Sequence, residues 1–306
     1  MKTTFKRFIS SLLIAAFLFL TFYYIDPGDM LMEIDMIASR PPVLILIFVS
    51  YFSAFLARGI AWKLYLKGRA RLTTCMYGLF YSLLLNHLLP VKVGDFARIG
   101  ILNARETEIS TQEAMNSVVV LRLLDTAILF FMALLGLLFL DLPITKVLVT
   151  GLTGAVIILA ILLFFRFKSF FYNHLAIMKS AFLGWQGLLI IVLTFGSWIL
   201  EAGVIYGVIK NGGMEYTILK AIWVNSLTVA GQIFQITPGG IASYEAIMVF
   251  ALGATGVAVE RGYSAAVITH GLKYLFTFIV GGAAVAAYPI PIHLLKKWTK
   301  ERGNES

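Results

Sequence analysis

A single cysteine in 306 residues, Cys75, excludes an internal disulfide and any zinc site built on thiolates. The four histidines, His87, His174, His270 and His293, show no metal-ligand spacing. Charge is also scarce. Charged residues make up 13% of the chain, against about 25% in a soluble domain. No P-loop, serine elbow or HExxH pattern occurs. No extended polar segment leaves room for a soluble catalytic domain, so neither a cofactor nor an enzymatic centre is expected.

What the chain does contain is apolar sequence in long runs. Hydrophobic residues make up 59% and the mean hydropathy is +0.88, which describes an all-α polytopic membrane protein. The net charge of +9 then points to cationic cytoplasmic loops and not to nucleic acid. Six stretches approach the roughly 20 apolar residues needed to cross the hydrocarbon: 8–25, 42–62, 118–140, 147–165, 187–208 and 264–290. The first resembles a signal peptide, but its apolar run is long and no small-x-small cleavage site follows, so it reads as an uncleaved span.

Two regions break this pattern. "YGLFYSLLLNHLLP" ends at Pro90 and is followed by "VKVGDFAR"; far downstream, 221–236 runs into Thr237, Pro238, Gly239 and Gly240. At 1.5 Å per residue, 77–89 reaches about 20 Å, short of a roughly 30 Å core. Both regions, about 77–104 and 221–258, are therefore expected to be re-entrant helical hairpins. Their tips would fall at Pro90 and Gly94 in one and at Thr237–Gly240 in the other. With both termini inside, the cytoplasmic segments 1–7, 58–75, 91–117, 166–186 and 291–306 hold 18 of the 25 Lys and Arg, as the positive-inside rule requires. The acidic stretch 26–35 is then an outer loop.

This arrangement gives two halves, about 8–140 and 147–290, with the same order of elements and opposite orientation. That is the inverted-topology repeat of many transporters, here within one membrane domain spanning 1–306. A constant offset of 148 pairs Pro90 with Pro238, Arg122 with His270 and Asp125 with Lys273. The hairpins would enter from opposite faces and meet near the midplane, their helix ends facing a polar cavity.

Charges in such segments are functional hypotheses by default. Lys92 and Arg98 suit an anionic headgroup, with Asp95 orienting the arginine; the plain alternative is snorkelling to the interface. Arg122 and Asp125 form either an intrahelical ion pair or part of an access path. Glu201 has no cation nearby in sequence and Glu245 follows the second hairpin's tip; they would pair with Arg122 or Lys273, carry a proton or receive a cationic group, the plain alternative being protonated, hydrogen-bonded groups that pack between helices. His270 and Lys273 mirror Arg122 and Asp125 in the second half. Asn86, Asn225, Gln232 and Gln235 either line the cavity or bond between helices.

With these residues named, "LLPVKVGDFARIGIL" and "TPGGIASYEA" resemble the paired L-P-G-R-x-G-E-x-x-R and T-P-G-G-x-G-x-x-E elements of the lysylphosphatidylglycerol synthase transmembrane-region family, and "VVVLRLLDTAILF" resembles the span that follows the first of them. Val91, Lys92, Asp95 and Ala242 depart from the family's usual glycine, arginine, glutamate and glycine. The resemblance implies a flippase for aminoacylated phosphatidylglycerol or a polyprenyl-linked lipid, in the cytoplasmic membrane of a bacterium or archaeon. Because the sequence stops at Ser306, the expectation is the flippase part without the aminoacyl-transferase domain. Membrane lipids are the implied substrate, and a separately encoded lipid-modifying enzyme is the implied partner. A membrane-embedded transferase, or its non-catalytic membrane subunit, is the competing expectation.

Overall fold

The computed structural model describes residues 27–89, 93–140, 182–232 and 237–289, with isolated positions between 11 and 23 and at 142, 165, 166 and 168. The expected spans 8–25 and 147–165 lie essentially outside the described residues, as do Pro90, Lys92 and Gln235. Among the described residues there are nine α-helices: α1 Pro27–Ala38, α2 Pro41–Tyr65, α3 Leu72–Leu88, α4 Gly94–Arg105, α5 Thr111–Phe139, α6 Gly184–Asn211, α7 Ile218–Gly231, α8 Ser243–Ala254 and α9 Val259–Ala287. A 3₁₀ turn, Pro238–Gly240, precedes α8.

Four of these helices, α2, α5, α6 and α9, are long and apolar enough to cross a membrane. Their apolar residues are not spent on the core. Only 28% of the most apolar window of α2 is buried, and Phe52, Phe131, Leu188 and Ile279 stand exposed on the outer faces. Exposed apolar surface on this scale suits a hydrocarbon surround.

Local chemistry sets the helix ends. Ser110 caps α5 in a reciprocal box, its hydroxyl accepting from the Glu113 amide at 3.2 Å while the Glu113 carboxylate accepts from the Ser110 amide at 3.1 Å. This starts α5 seven residues before the expected 118. Thr217 caps α7 through the Lys220 amide. The stretch read as an acidic outer loop is instead helix α1, with Pro27 as its first residue, a position that needs no amide donor. Its Ile37 is buried in an apolar cluster, which holds the helix in place.

α3 and α4 form an antiparallel hairpin: Gly78 faces the Arg98 backbone, and Gly94 lies against the backbone of Ser82 so tightly that a Cβ at 94 would collide with it. The base of the hairpin is tied by Glu106, whose Oε1 accepts from the Thr74 hydroxyl at 2.5 Å and the Arg71 amide at 3.1 Å. At 17 residues, α3 is longer than the expected 77–89 but still only about 26 Å. α7 and α8 form the second hairpin. α2 and α6 run antiparallel along each other, joined by Ser50 to the Leu200 carbonyl, Arg58 to Ser197 and Arg40 to Asn211.

Two apolar clusters make the core. One is built mainly on α2 to α5, the other mainly on α6 to α9. On α9 the polar side chains of His270 and Lys273 separate Ile268 of the second cluster from Phe276 of the first. That break marks the candidate site.

Candidate functional site

Between the hairpins lies a cavity of about 170 Å³, bordered by residues of every helix from α2 to α9 and by the Gly239 turn. Its walls carry Arg58, Arg98, Arg122 and Lys273 together with Asp125 and Glu201. Charges at this depth need partners, since an ion taken from water loses several kcal/mol of solvation.

Most find them. Arg122 grips Asp95 with two nitrogens, Nε at 3.0 and 3.1 Å from the two oxygens and Nη2 at 2.9 Å. The expected helical pair with Asp125 is a distant 3.9 Å; Asp125 instead accepts from the Trp198 indole at 3.2 Å. Glu201 bridges two cations, receiving Lys273 Nζ at 2.8 Å on Oε1 and Arg58 Nη2 at 2.7 Å on Oε2. Asn225 supplies Lys273 with a second oxygen at 3.4 Å. Glu245 and His270, each about 3% exposed, meet at 2.6 Å through Oε1 and Nδ1.

Arg98 is the exception. It is 3% exposed, and its nearest carboxylate oxygen, on Asp95, is 3.6 Å away. Its Nε donates no hydrogen bond among the described residues. The guanidinium stacks over the Trp62 ring at 4.5 Å, a contact that steadies the plane and leaves its edge free to donate.

The second hairpin's tip closes the site. Thr237 is fully buried, its hydroxyl donating to the Ile241 carbonyl at 2.6 Å. Gly239 and Gly240 adopt φ of 62° and 80°, where L side chains are strained; a Cβ at 239 would run into the Tyr274 hydroxyl and one at 240 into the Gln232 amide. Tyr274 donates to the Pro238 carbonyl at 3.2 Å. The turn packs on α3, so this tip meets the first hairpin.

Sequence reasoning missed Arg58. The positive-inside assignment places it with Arg98 among the cytoplasmic cations, yet its side chain is 13% exposed and bonded to Glu201. Its position inside the apolar run 42–62 was the available signal. The aromatic partners Trp62 and Trp198, the latter with Arg58 at 3.9 Å over its ring, carried no such signal. Among the described residues, no cluster of three His, Cys, Asp or Glu is placed to hold a metal ion.

Apolar outer faces around a buried, charge-lined cavity define a multi-pass membrane protein. More particularly, the chain belongs to the family described as the lysylphosphatidylglycerol synthase TM region, whose profile matches residues 7–281. Comparison with curated proteins and with solved structures gives no match. The family and the fold together make this a membrane protein concerned with lipids.

Proposed function

We propose that the protein moves a lipid with an anionic headgroup across the cytoplasmic membrane, the headgroup passing through the cavity while the acyl or prenyl tails stay in the bilayer. The observation that carries this reading is Arg98. A buried guanidinium whose nearest carboxylate is 3.6 Å away and whose Nε is unmatched among the described residues is costly. An arriving phosphate would offset that cost with charge-assisted hydrogen bonds, for which arginine is the better suited cation.

Arg122 and Lys273 add positive potential, and Arg58 joins them on this reading. Asp95 and Asp125 orient the arginines. Glu201 lines the cavity with both oxygens held by Lys273 and Arg58, so the amine of an aminoacylated headgroup would displace one of these cations; Glu245, paired with His270, suits a coupled proton, and Lys92 near the first tip would meet the lipid as it enters. Aminoacylated phosphatidylglycerol and a polyprenyl phosphate share the phosphate that Arg98 requires. A separately encoded lipid-modifying enzyme would supply the former.

The transport reading includes an inverted repeat with re-entrant hairpins, α2–α5 against α6–α9, in one membrane domain. Matched packing supports it: α3 on α9 answers α7 on α5, α2 on α3 answers α6 on α7, and α4 on α5 answers α8 on α9. In each cross-half contact a glycine on the long helix admits a bulky side chain, Gly136 for Trp223 and Gly281 for Leu84. The two long helices at the centre, α2 and α6, are antiparallel, as an inverted repeat demands.

The test is translocation in proteoliposomes. Headgroup-labelled phosphatidylglycerol, lysyl-phosphatidylglycerol and a polyprenyl phosphate are each reconstituted and quenched from outside. Quenching well beyond half of one lipid, lost in Arg98→Ala while the protein remains folded, is the expected outcome. Equal transport by Arg98→Ala removes the arginine from the site, and no movement of any lipid by folded protein contradicts the reading.

A further inference from the structure

Each hairpin is fastened to the long helix that follows it by one acid–base contact, and the two contacts sit at matching places. Asp95, in the first turn of α4, holds Arg122 of α5. Glu245, in the first turn of α8, holds His270 of α9. Arg122 and His270 are separated by the same 148 positions as Pro90 and Pro238. The chemistry of the two fasteners differs. A guanidinium keeps its proton at any physiological pH; an imidazole is the side chain whose charge changes there.

His270 is faced from α3, α8 and its own helix. The Tyr244 ring of α8 stacks on the imidazole with centroids 4.1 Å apart. On its own helix Tyr274 lies at 4.8 Å, and Lys273 is already matched by Glu201 of α6 and Asn225 of α7. From α3 comes His87, its ring 6.3 Å away and its Nδ1 already engaged with the Leu83 carbonyl. The carboxylate facing His270 is therefore Glu245, and the Oε2 of Glu245 has no hydrogen-bond partner among the described residues. His270 itself borders the cavity.

We propose that headgroup movement is coupled to a proton carried by the Glu245–His270 pair, which makes the protein a proton-linked lipid transporter and not a passive scramblase. The proposal rests on the transport reading above. With both ring nitrogens protonated, the imidazolium and the carboxylate sum to zero charge. With one proton fewer, the Nδ1 hydrogen bond persists, but the pair carries a net negative charge beside the cavity. A negative charge out of water repels an incoming anion, so the proton and the anionic headgroup bind together and leave together. One proton is taken up and one released per passage, with no bond made to the lipid.

Calorimetry on purified wild-type protein, titrated with short-chain phosphatidylglycerol in buffers of different ionisation enthalpy, counts protons taken up per lipid bound. Near neutral pH the wild type takes up a fraction of a proton approaching one. His270→Arg, which fixes the charge as Arg122 does, binds with no uptake, and the double variant Glu245→Gln/His270→Gln, which leaves no titratable pair, does the same if the arginine variant fails to fold. In proteoliposomes, a proton gradient drives labelled lipid in the direction of proton flow, by up to about tenfold accumulation per pH unit for one proton per lipid. Binding or transport by the wild type with no proton uptake and no response to the gradient overturns the coupling and leaves the transport reading intact. Absence of both binding and transport of every lipid overturns the transport reading and the coupling with it.

Discussion

The two hairpins meet the same structural problem with different materials. The first turns at a stretch bounded by Asn86, which accepts the Gly94 amide at 2.9 Å, and presses its arms together so closely that only a glycine fits at 94. The second turns through a 3₁₀ element with two left-handed glycines and a buried threonine. The first is fastened by a bidentate guanidinium–carboxylate contact, the second by an imidazole–carboxylate contact. A fastener with a fixed charge suits the arm that presents Arg98 to the cavity. On the proposed coupling, the imidazole–carboxylate contact is the one that carries the proton. The bridge of Glu201 to both Arg58 and Lys273 belongs to neither hairpin and ties the central helices to α9.

That distinction can be broken by mutation. The largest effect is expected at the central bridge. Glu201→Ala leaves two buried cations without their carboxylate and should destabilise the protein by about 3–5 kcal/mol, seen as a collapse of folded yield and thermal midpoint in detergent. Replacing Arg58, Glu201 and Lys273 together by methionine should recover much of that stability while transport stays lost. A triple variant as unstable as the single one would show that packing, not charge, dominates there.

Next in size are the fasteners. Asp95→Asn leaves Arg122 and Arg98 facing each other without a carboxylate between them and should cost about 2 kcal/mol, reduced from the fully buried value because Asp95 is 30% exposed. Transport should fall at least about tenfold, the equivalent of one lost charge-assisted contact. Glu245→Gln keeps an oxygen for the His270 ring and should cost under about 1 kcal/mol, yet remove the response to a proton gradient. Equal stability losses in the two variants would erase the difference drawn between the hairpins.

Smaller effects separate structure from transport. Glu106→Gln, at the base of the first hairpin and remote from the cavity lining, should cost about 1–2 kcal/mol and leave transport per folded molecule unchanged. Ala242, at φ 73° and ψ −45°, holds a backbone conformation costing roughly 1–3 kcal/mol for a residue with a Cβ. Ala242→Gly should therefore raise the thermal midpoint by a few degrees, measurable by scanning fluorimetry.

The features readable in the sequence were those that interrupt a pattern. Pro90 with Gly94 and Pro238 with Gly239 and Gly240, set inside apolar runs, marked the two hairpins, and Arg122, Glu201, Glu245 and Lys273 stood out because charge in such runs is expensive. Their partners were not readable, because pairing across helices depends on crossing geometry that spacing along one helix does not contain. Arg122 thus has its neighbour by sequence, Asp125, at 3.9 Å and its true partner, Asp95, on another helix. Arg58 was hidden for a related reason: hydropathy locates a run but not the depth at which a cation near its end sits. The capping box at Ser110 and Glu113 was legible in "STQE" and would have placed the start of α5 correctly. α1 was masked by its acidic residues, which weigh against burial although one face needs only Ile37 to dock.

The most direct test of the account is whether the cavity between the hairpins opens to both sides of the membrane. Cys75 is the chain's one cysteine and is buried, so a Cys75→Ala background makes a single reporter practical. Thr194→Cys, on the cavity wall, is reconstituted and treated with a membrane-impermeant thiol reagent added separately from each face. The account predicts labelling from either face, slowed by excess anionic lipid in the Arg98 protein and not in Arg98→Ala. Labelling from one face alone, unaffected by lipid, would contradict it.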